Sequence, residues 1–289
     1  MTRPTRIVRG SEGPGHRWEM AVRPVPPALR PYVTSLLGYD ERTAAPLTRP
    51  EYPAPRLPVI IELGPPVAVH DYDDLTLAHR YAGGFAAGLH DAPALVAHQG
   101  AQRGVQFDLT PAGAARLFAR PPAELARRVV AAADLLPWPH LHERLAALPD
   151  WPRRLDLVED LLLARLADGP RPDWIEHATH RIEATAGALD MATLVRELGY
   201  SHGHVTRAFH AHIGQSPKRY ARVVRFAALT ARLRAGTAAS WATLAAEHGY
   251  CDQAHLAREI RALTGESPTA LLARFGAFTE TSKTSKTDD

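Results

Sequence analysis

The sequence predicts an α+β protein: a β-rich N-terminal domain with helices, followed by an all-α domain of two helix-turn-helix units joined by a long helix. Three observations carry this prediction. Short apolar runs punctuated by glycine and proline occupy about 57–109. The composition turns alanine- and arginine-rich, with helical spacing, at Thr110-Pro111. One pattern is then written twice, as MATLVRELGYSHGHVTRAFHAHIGQSP (191–217) and WATLAAEHGYCDQAHLAREIRALTGESP (241–268).

In chain order, residues 1–20 are polar, with Gly and Pro at short intervals, and read as a flexible leader. The basic N-terminus leads into no apolar segment, so no secretory signal is expected. From Arg23 to Pro58 proline recurs every few residues, which excludes long helices but allows edge strands. Leu57–Leu63, Val67–Val69, Leu75–Ala78, Tyr81–Ala87, Leu95–His98 and Val105–Leu109 have the length and β-branched content of strands in an antiparallel sheet or small barrel. Pro111–Ala119, Pro122–Leu136, His140–Leu148 and Arg153–Ala167 follow as helices. The last places Leu155, Val158, Leu162 and Leu166 on one stripe, available to pack on this chain's own sheet or to self-associate. A sensory or regulatory domain is therefore expected over 21–168, a Gly-Pro linker over 169–173, the repeat domain over 174–276 and a disordered tail over 277–289.

The repeat has an offset of 50 up to the Gly-Tyr pair (Gly199/Gly249, Tyr200/Tyr250) and 51 beyond it (His204/His255, Arg207/Arg258, Gly214/Gly265, Pro217/Pro268). A repeat that accepts one inserted residue, and places it in a turn, is a duplicated structural unit. Asp190 and Ser240 can cap the first helix of each copy, and Ser201 and Asp252 the second. Gly199, Gly249, Gly214 and Gly265 stand where helices end in a left-handed residue. Ser216-Pro217 and Ser267-Pro268 each start a new helix. In such units the second helix enters the DNA major groove.

Leu194, Glu197, Gly199-Tyr200-Ser201, Arg207, Phe209, Gly214 and Ser216-Pro217 in the first copy resemble the tandem helix-turn-helix domain of AraC/XylS-family transcriptional regulators. So do Ala245, Gly249-Tyr250, Asp252-Gln253, Arg258 and Gly265 through Pro268 in the second. Leu256 and Ile260 stand where the family usually carries phenylalanine. The resemblance implies that His202, Gly203, Thr206 and Arg207 face DNA in the first copy, and Gln253, Ala254, Ala257 and Arg258 in the second. Arginine can pair bidentately with guanine and glutamine with adenine, whereas alanine offers only contact to thymine methyls. His204 and His255 recur at matched positions, which suggests a structural or phosphate-facing role. In the N-terminal half the resemblance is to family members with a barrel or cupin-like sensory domain, and GVQFDLTPAGAARLF (104–118) resembles the end of that half in one uncharacterised branch. Cupin metal sites use His-x-His, and His70, His79, His90 and His98 do not supply that spacing.

Charge supports the nucleic-acid reading. Residues 1–173 carry 20 basic and 20 acidic side chains, whereas 174–276 carry 12 and 8. Ser216 to Ala235 carries Lys218, Arg219, Arg222, Arg225, Arg232 and Arg234 with no acidic residue. The first three are expected at DNA phosphates, the alternative being a solvated basic face. At about 1.5 Å per residue this helix is roughly 30 Å long, close to the ~34 Å of one DNA turn. One chain could then fill two successive major grooves.

The single cysteine, Cys251, excludes an intrachain disulfide and is expected to be half-buried. No apolar run is long enough to span a membrane, and a cytoplasmic location is expected. The reading is a sequence-specific transcriptional regulator, most simply an activator, that binds double-stranded DNA and needs no cofactor. A small-molecule effector at the N-terminal domain, RNA polymerase and a second copy of the chain are the other partners it admits. The competing reading is an enzyme in the N-terminal half with the helical domain as a DNA-targeting module. No nucleophile-base constellation, phosphate loop or metal cluster supports it, and the chain is read as not an enzyme.

Overall fold

The computed structural model describes residues 3–11, 13, 15–72, 74, 76–167, 173–236 and 239–283, with side chains through 275. The chain divides into two compact units: residues 1–51, 56–89 and 94–171 form one, and 52–55, 90–93 and 172–289 form the other.

The first unit is built on strands β1 (Arg6–Ser11), β2 (Arg17–Val22), β3 (Val33–Arg42), β4 (Leu47–Glu51), β5 (Leu57–Glu62) and β6 (Val67–His70). They are followed by β7 (Ala78–Tyr81), β8 (Phe85–Ala87), β9 (Ala94–His98), β10 (Ala101–Leu109) and β11 (Val129–Ala131). Its helices are α1 (Pro111–Phe118), α2 (Ala132–Leu135), α3 (Leu141–Ala146) and α4 (Trp151–Leu166). A seven-stranded sheet runs β1-β2-β3-β10-β5-β8-β11 and a four-stranded sheet β4-β9-β6-β7. Every pairing is antiparallel. Leu57, Val59 and Ile61 on β5 and Val105, Phe107 and Leu109 on β10 are buried at alternate positions, as a half-buried pleated sheet requires.

Sheet pairing extends well beyond 57–109. Residues 6–11 and 17–22, which span most of the expected leader and run two residues beyond it, form a hairpin whose register pairs Ile7 with Ala21. Prolines in the 23–58 stretch sit where pairing tolerates them. Pro50 is on β4, an edge strand, and Pro58 precedes the two β5 residues that β8 reaches. The expected helix over Pro122–Leu136 is instead a 3-10 turn at Pro122–Leu125, strand β11 and the short α2. The β-branched pair Val129-Val130 completes the sheet beside β8, and that long-range pairing overrides the local alanine-rich pattern.

Leu155, Val158, Leu162 and Leu166 are each 0% exposed, so this stripe is spent inside its own unit. At the start of α4 Trp151 packs directly on Gly38 of β3, where an added Cβ would stand 2.4 Å from the indole. Arg23 is 2% exposed and donates from Nη1 to Asp156 (2.6 Å) and Glu159 (2.9 Å) of α4. A second buried polar cluster joins the two sheets. Glu41 of β3 accepts from Arg49 of β4 (2.7 and 2.5 Å), from Gln102 of β10 (2.5 Å) and shares a hydrogen bond with His16 (2.7 Å). Burial alone would raise the Glu41 carboxyl, but the hydrogen bonds from Arg49, Gln102 and His16 prevail and hold it at about 2.

A carboxyl depressed on folding contributes stability that is present above its unfolded value near 4.5 and is lost as pH falls towards about 2. Glu41→Gln is therefore expected to be less stable than the parent at neutral pH, and the gap should narrow as pH falls through that window. Denaturant titrations of both proteins at pH 7, 4 and 3 read this out; a gap that stays constant with pH would contradict it.

The second unit contains α5 (Trp174–Ala184), α6 (Met191–Leu198), α7 (His202–Ile213), α8 (Pro217–Arg234), α9 (Trp241–Glu247), α10 (Gln253–Thr264) and α11 (Pro268–Lys283). The expected tail thus begins as helix, and residues 284–289 lie outside the described residues, as does 169–172 of the expected linker. The caps follow the sequence. Asp190, Ser201, Ser240 and Asp252 accept from the amides of Thr193, His204, Thr243 and His255. Gly199 (φ 72°) and Gly214 (φ 83°) end α6 and α7 in the left-handed region that a side chain would disfavour.

Candidate nucleic-acid interface

Each copy of the repeat folds as a helix, a tight turn and a second helix, and the two second helices, α7 and α10, are each 12 residues long. Val205, Phe209 and Ile213 anchor α7 with exposures of 3% or less, and Leu256 and Ile260 anchor α10 at 0%. The aliphatic pair that replaces phenylalanine in the second copy is thus fully packed. With the inward stripe fixed, the outward stripe follows from the 3.6-residue period.

On α7, His202, Gly203 and Arg207 are exposed and Thr206 is half-buried; on α10, Gln253, Ala254 and Arg258 are exposed and Ala257 is half-buried. Gly203 lies beside the Arg207 guanidinium, since a Cβ there would stand 3.5 Å from Nη1. That is ordinary contact, so the glycine leaves room around Arg207 without being required by sterics. Cys251, expected to be half-buried, is exposed in the turn before α10. The single-residue insertion of the second copy falls in that turn.

The matched histidines brace the turns. His204 stacks on Tyr200 (centroids 4.7 Å apart), and both rings lie against Trp174 (5.6 and 4.9 Å). In the second copy His255 meets Tyr250 edge-on at 5.5 Å and accepts from the Cys251 amide through Nδ1 (3.3 Å). Trp174 was not legible as part of this arrangement because it precedes the first copy, where no repeat marks it.

The connecting helix α8 is a core element as well as a connection. Its first half packs on the first copy through Tyr220, whose ring meets Phe209 at 6.5 Å and whose hydroxyl donates to Glu183. Burial of this pair raises the Tyr220 phenol well above its ordinary value and also raises the Glu183 carboxyl. The second half of α8 supplies Phe226, Leu229 and Leu233 to a core shared with Leu244, Leu256, Ile260 and Leu271.

Much of the α8 charge is engaged within the unit. Arg222 donates to Glu259 of α10 (2.5 Å), Arg219 to Asp91 of the 90–93 segment that packs in this unit (2.5 Å), and Arg225 to the Gly187 carbonyl (2.8 Å). Lys218 is exposed. Glu259 was missed from the sequence because nothing there says which arginine its helix position will meet. A groove of about 1150 Å³ is lined by His202 and Thr206 of α7, Lys218 and Arg222 of α8, and His255 and Glu259 of α10. Both second helices therefore open on one groove floored by α8.

A family model described as a helix-turn-helix domain matches residues 194–274. No curated protein sequence matches the chain. Among solved structures, the chain is similar to an apo variant of ToxT from Vibrio cholerae, at 9% identity and a TM-score of 0.50, over 83% of this chain and 97% of that one. A further ToxT structure aligns at 7% identity and a TM-score of 0.47 over 94% and 98%, and one with an unsaturated fatty acid bound at 8% and 0.46 over 80% and 96%. At these identities the likeness concerns the fold: a sheet-rich N-terminal part followed by a helical C-terminal part. None of the described helices is long and apolar enough to cross a membrane.

Proposed function

We propose that this transcription regulator, whose residues 194–274 match a helix-turn-helix domain and resemble the AraC type, reads two successive major grooves with α7 and α10 and most simply activates the promoter it binds. The observation that supports the reading is that His202 and Thr206 of α7 and His255 and Glu259 of α10 line one groove together with Lys218 and Arg222 of α8, so both second helices border the connecting helix. His202, Gly203, Thr206 and Arg207 form the reading edge of the first helix. Gln253, Ala254, Ala257 and Arg258 form that of the second. The plain Ala254/Ala257 pair leaves the second helix with Gln253 and Arg258 as its base-discriminating groups.

Lys218, Arg219 and Arg222 are the phosphate-binding candidates on α8. Arg222 is ion-paired with Glu259 and Arg219 with Asp91, so Lys218 is the least encumbered of the three. The first unit is the proposed seat of regulation, by a small-molecule effector, a second copy of the chain or RNA polymerase. Selection of bound duplexes from a random-sequence library tests the proposal. The expected result is a bipartite motif whose affinity falls steeply with salt; recovery of no motif, or of binding indifferent to salt, would overturn it.

A further inference from the structure

The outward stripe of α7 does not end at Arg207. Gly203, Thr206, Arg207 and His210 follow at i, i+3, i+4 and i+7, and His210 is exposed in the last turn. In α10 the same spacing gives Ala254, Ala257, Arg258 and Arg261, and Arg261 is exposed in the last turn there. The two residues stand 51 apart, the offset of the second half of the repeat. Neither side chain has a hydrogen-bonding or ionic partner among the described residues, in contrast to Arg219 and Arg222.

We infer that His210 and Arg261 are matched phosphate-binding positions that close the DNA face of the two recognition helices. Seven residues at about 1.5 Å place each roughly 10 Å along the helix from Gly203 or Ala254. The major groove is about 12 Å wide. A helix that presents its first turns to base edges thus brings its last turn to the groove wall, where the sugar-phosphate strand lies. The inference rests on the proposed reading of α7 and α10. A basic residue at a helix C-terminus is also favoured by the helix dipole, and the two roles separate cleanly. A dipole role changes stability, whereas a phosphate role changes how affinity depends on salt.

The test uses the full-length chain and the duplex that the parent protein selects from a random library, with affinity measured over a salt series at one pH. Arg261→Ala is expected to lower the slope of log affinity against log salt by about 0.9, the value for one phosphate on B-DNA. His210→Arg is expected to steepen it by about 0.9. Neither should change the selected motif. Thermal unfolding of each variant is recorded alongside. An unchanged slope in either variant, with the parent binding normally, overturns the assignment for that helix even if its stability has moved. Absence of salt-dependent binding by the parent overturns the proposed function and this inference together.

Discussion

Phe226→Ala is expected to cost about 3–5 kcal/mol, the range for truncating a buried aromatic side chain, and to disassemble the second copy of the repeat in preference to the first. Phe226 is 0% exposed and lies among Leu229, Leu233, Leu244, Leu256, Ile260 and Leu271, which join α8 to α9, α10 and α11. Its removal leaves a cavity in the core through which α9, α10 and α11 pack on α8. The first copy keeps Tyr220, Phe209 and Val205, none of which belongs to that cluster. Amide hydrogen exchange resolves the outcome: protection should fall across α9 to α11 and persist across α6 and α7. Equal loss in both copies would show that the two are one cooperative unit.

Arg207→Ala is expected to weaken binding to the selected duplex by about 1–3 kcal/mol and to relax base preference at one position. The arginine is exposed on the stripe opposite Val205 and Phe209, and Gly203 beside it leaves its guanidinium unobstructed. Lys218→Ala should behave differently, weakening all sequences alike, because an ammonium at the start of α8 meets phosphate without reading bases. Repeating the duplex selection with both variants checks the contrast. If Arg207→Ala returns the parent motif at uniformly lower affinity, Arg207 is a phosphate contact.

The second unit was legible because its information is local and written twice. Asp190, Ser201, Ser240 and Asp252 announce helix starts within three residues of the amides they accept from. The glycines announce the ends. What local pattern could not supply was the pairing of side chains across helices, so Arg222 read as a phosphate contact with no partner inside the chain, and Glu259 of α10 went unnoticed. The first unit was less legible because sheet pairing is non-local. RIV and WEMAV are separated by a glycine- and proline-containing polar stretch, yet β1 and most of β2 read as a leader, since too few apolar residues face inward to mark a strand. Val129-Val130 sat within an alanine-rich stretch, and its strand partner lies more than forty positions earlier in β8. Nothing in the spacing of His16, Glu41, Arg49 and Gln102 foretold that one carboxylate would tie two sheets together.

In the proposed complex α7 and α10 occupy successive major grooves on one face of a single duplex. Methylation protection of guanine N7, which lies in the major groove, measures this directly when the parent chain is bound to its selected duplex. Two protected clusters are expected, centred about 10–10.5 base pairs apart, the first lost in Arg207→Ala and the second in Arg258→Ala. A single cluster, or two clusters on opposite faces of the duplex, would contradict it.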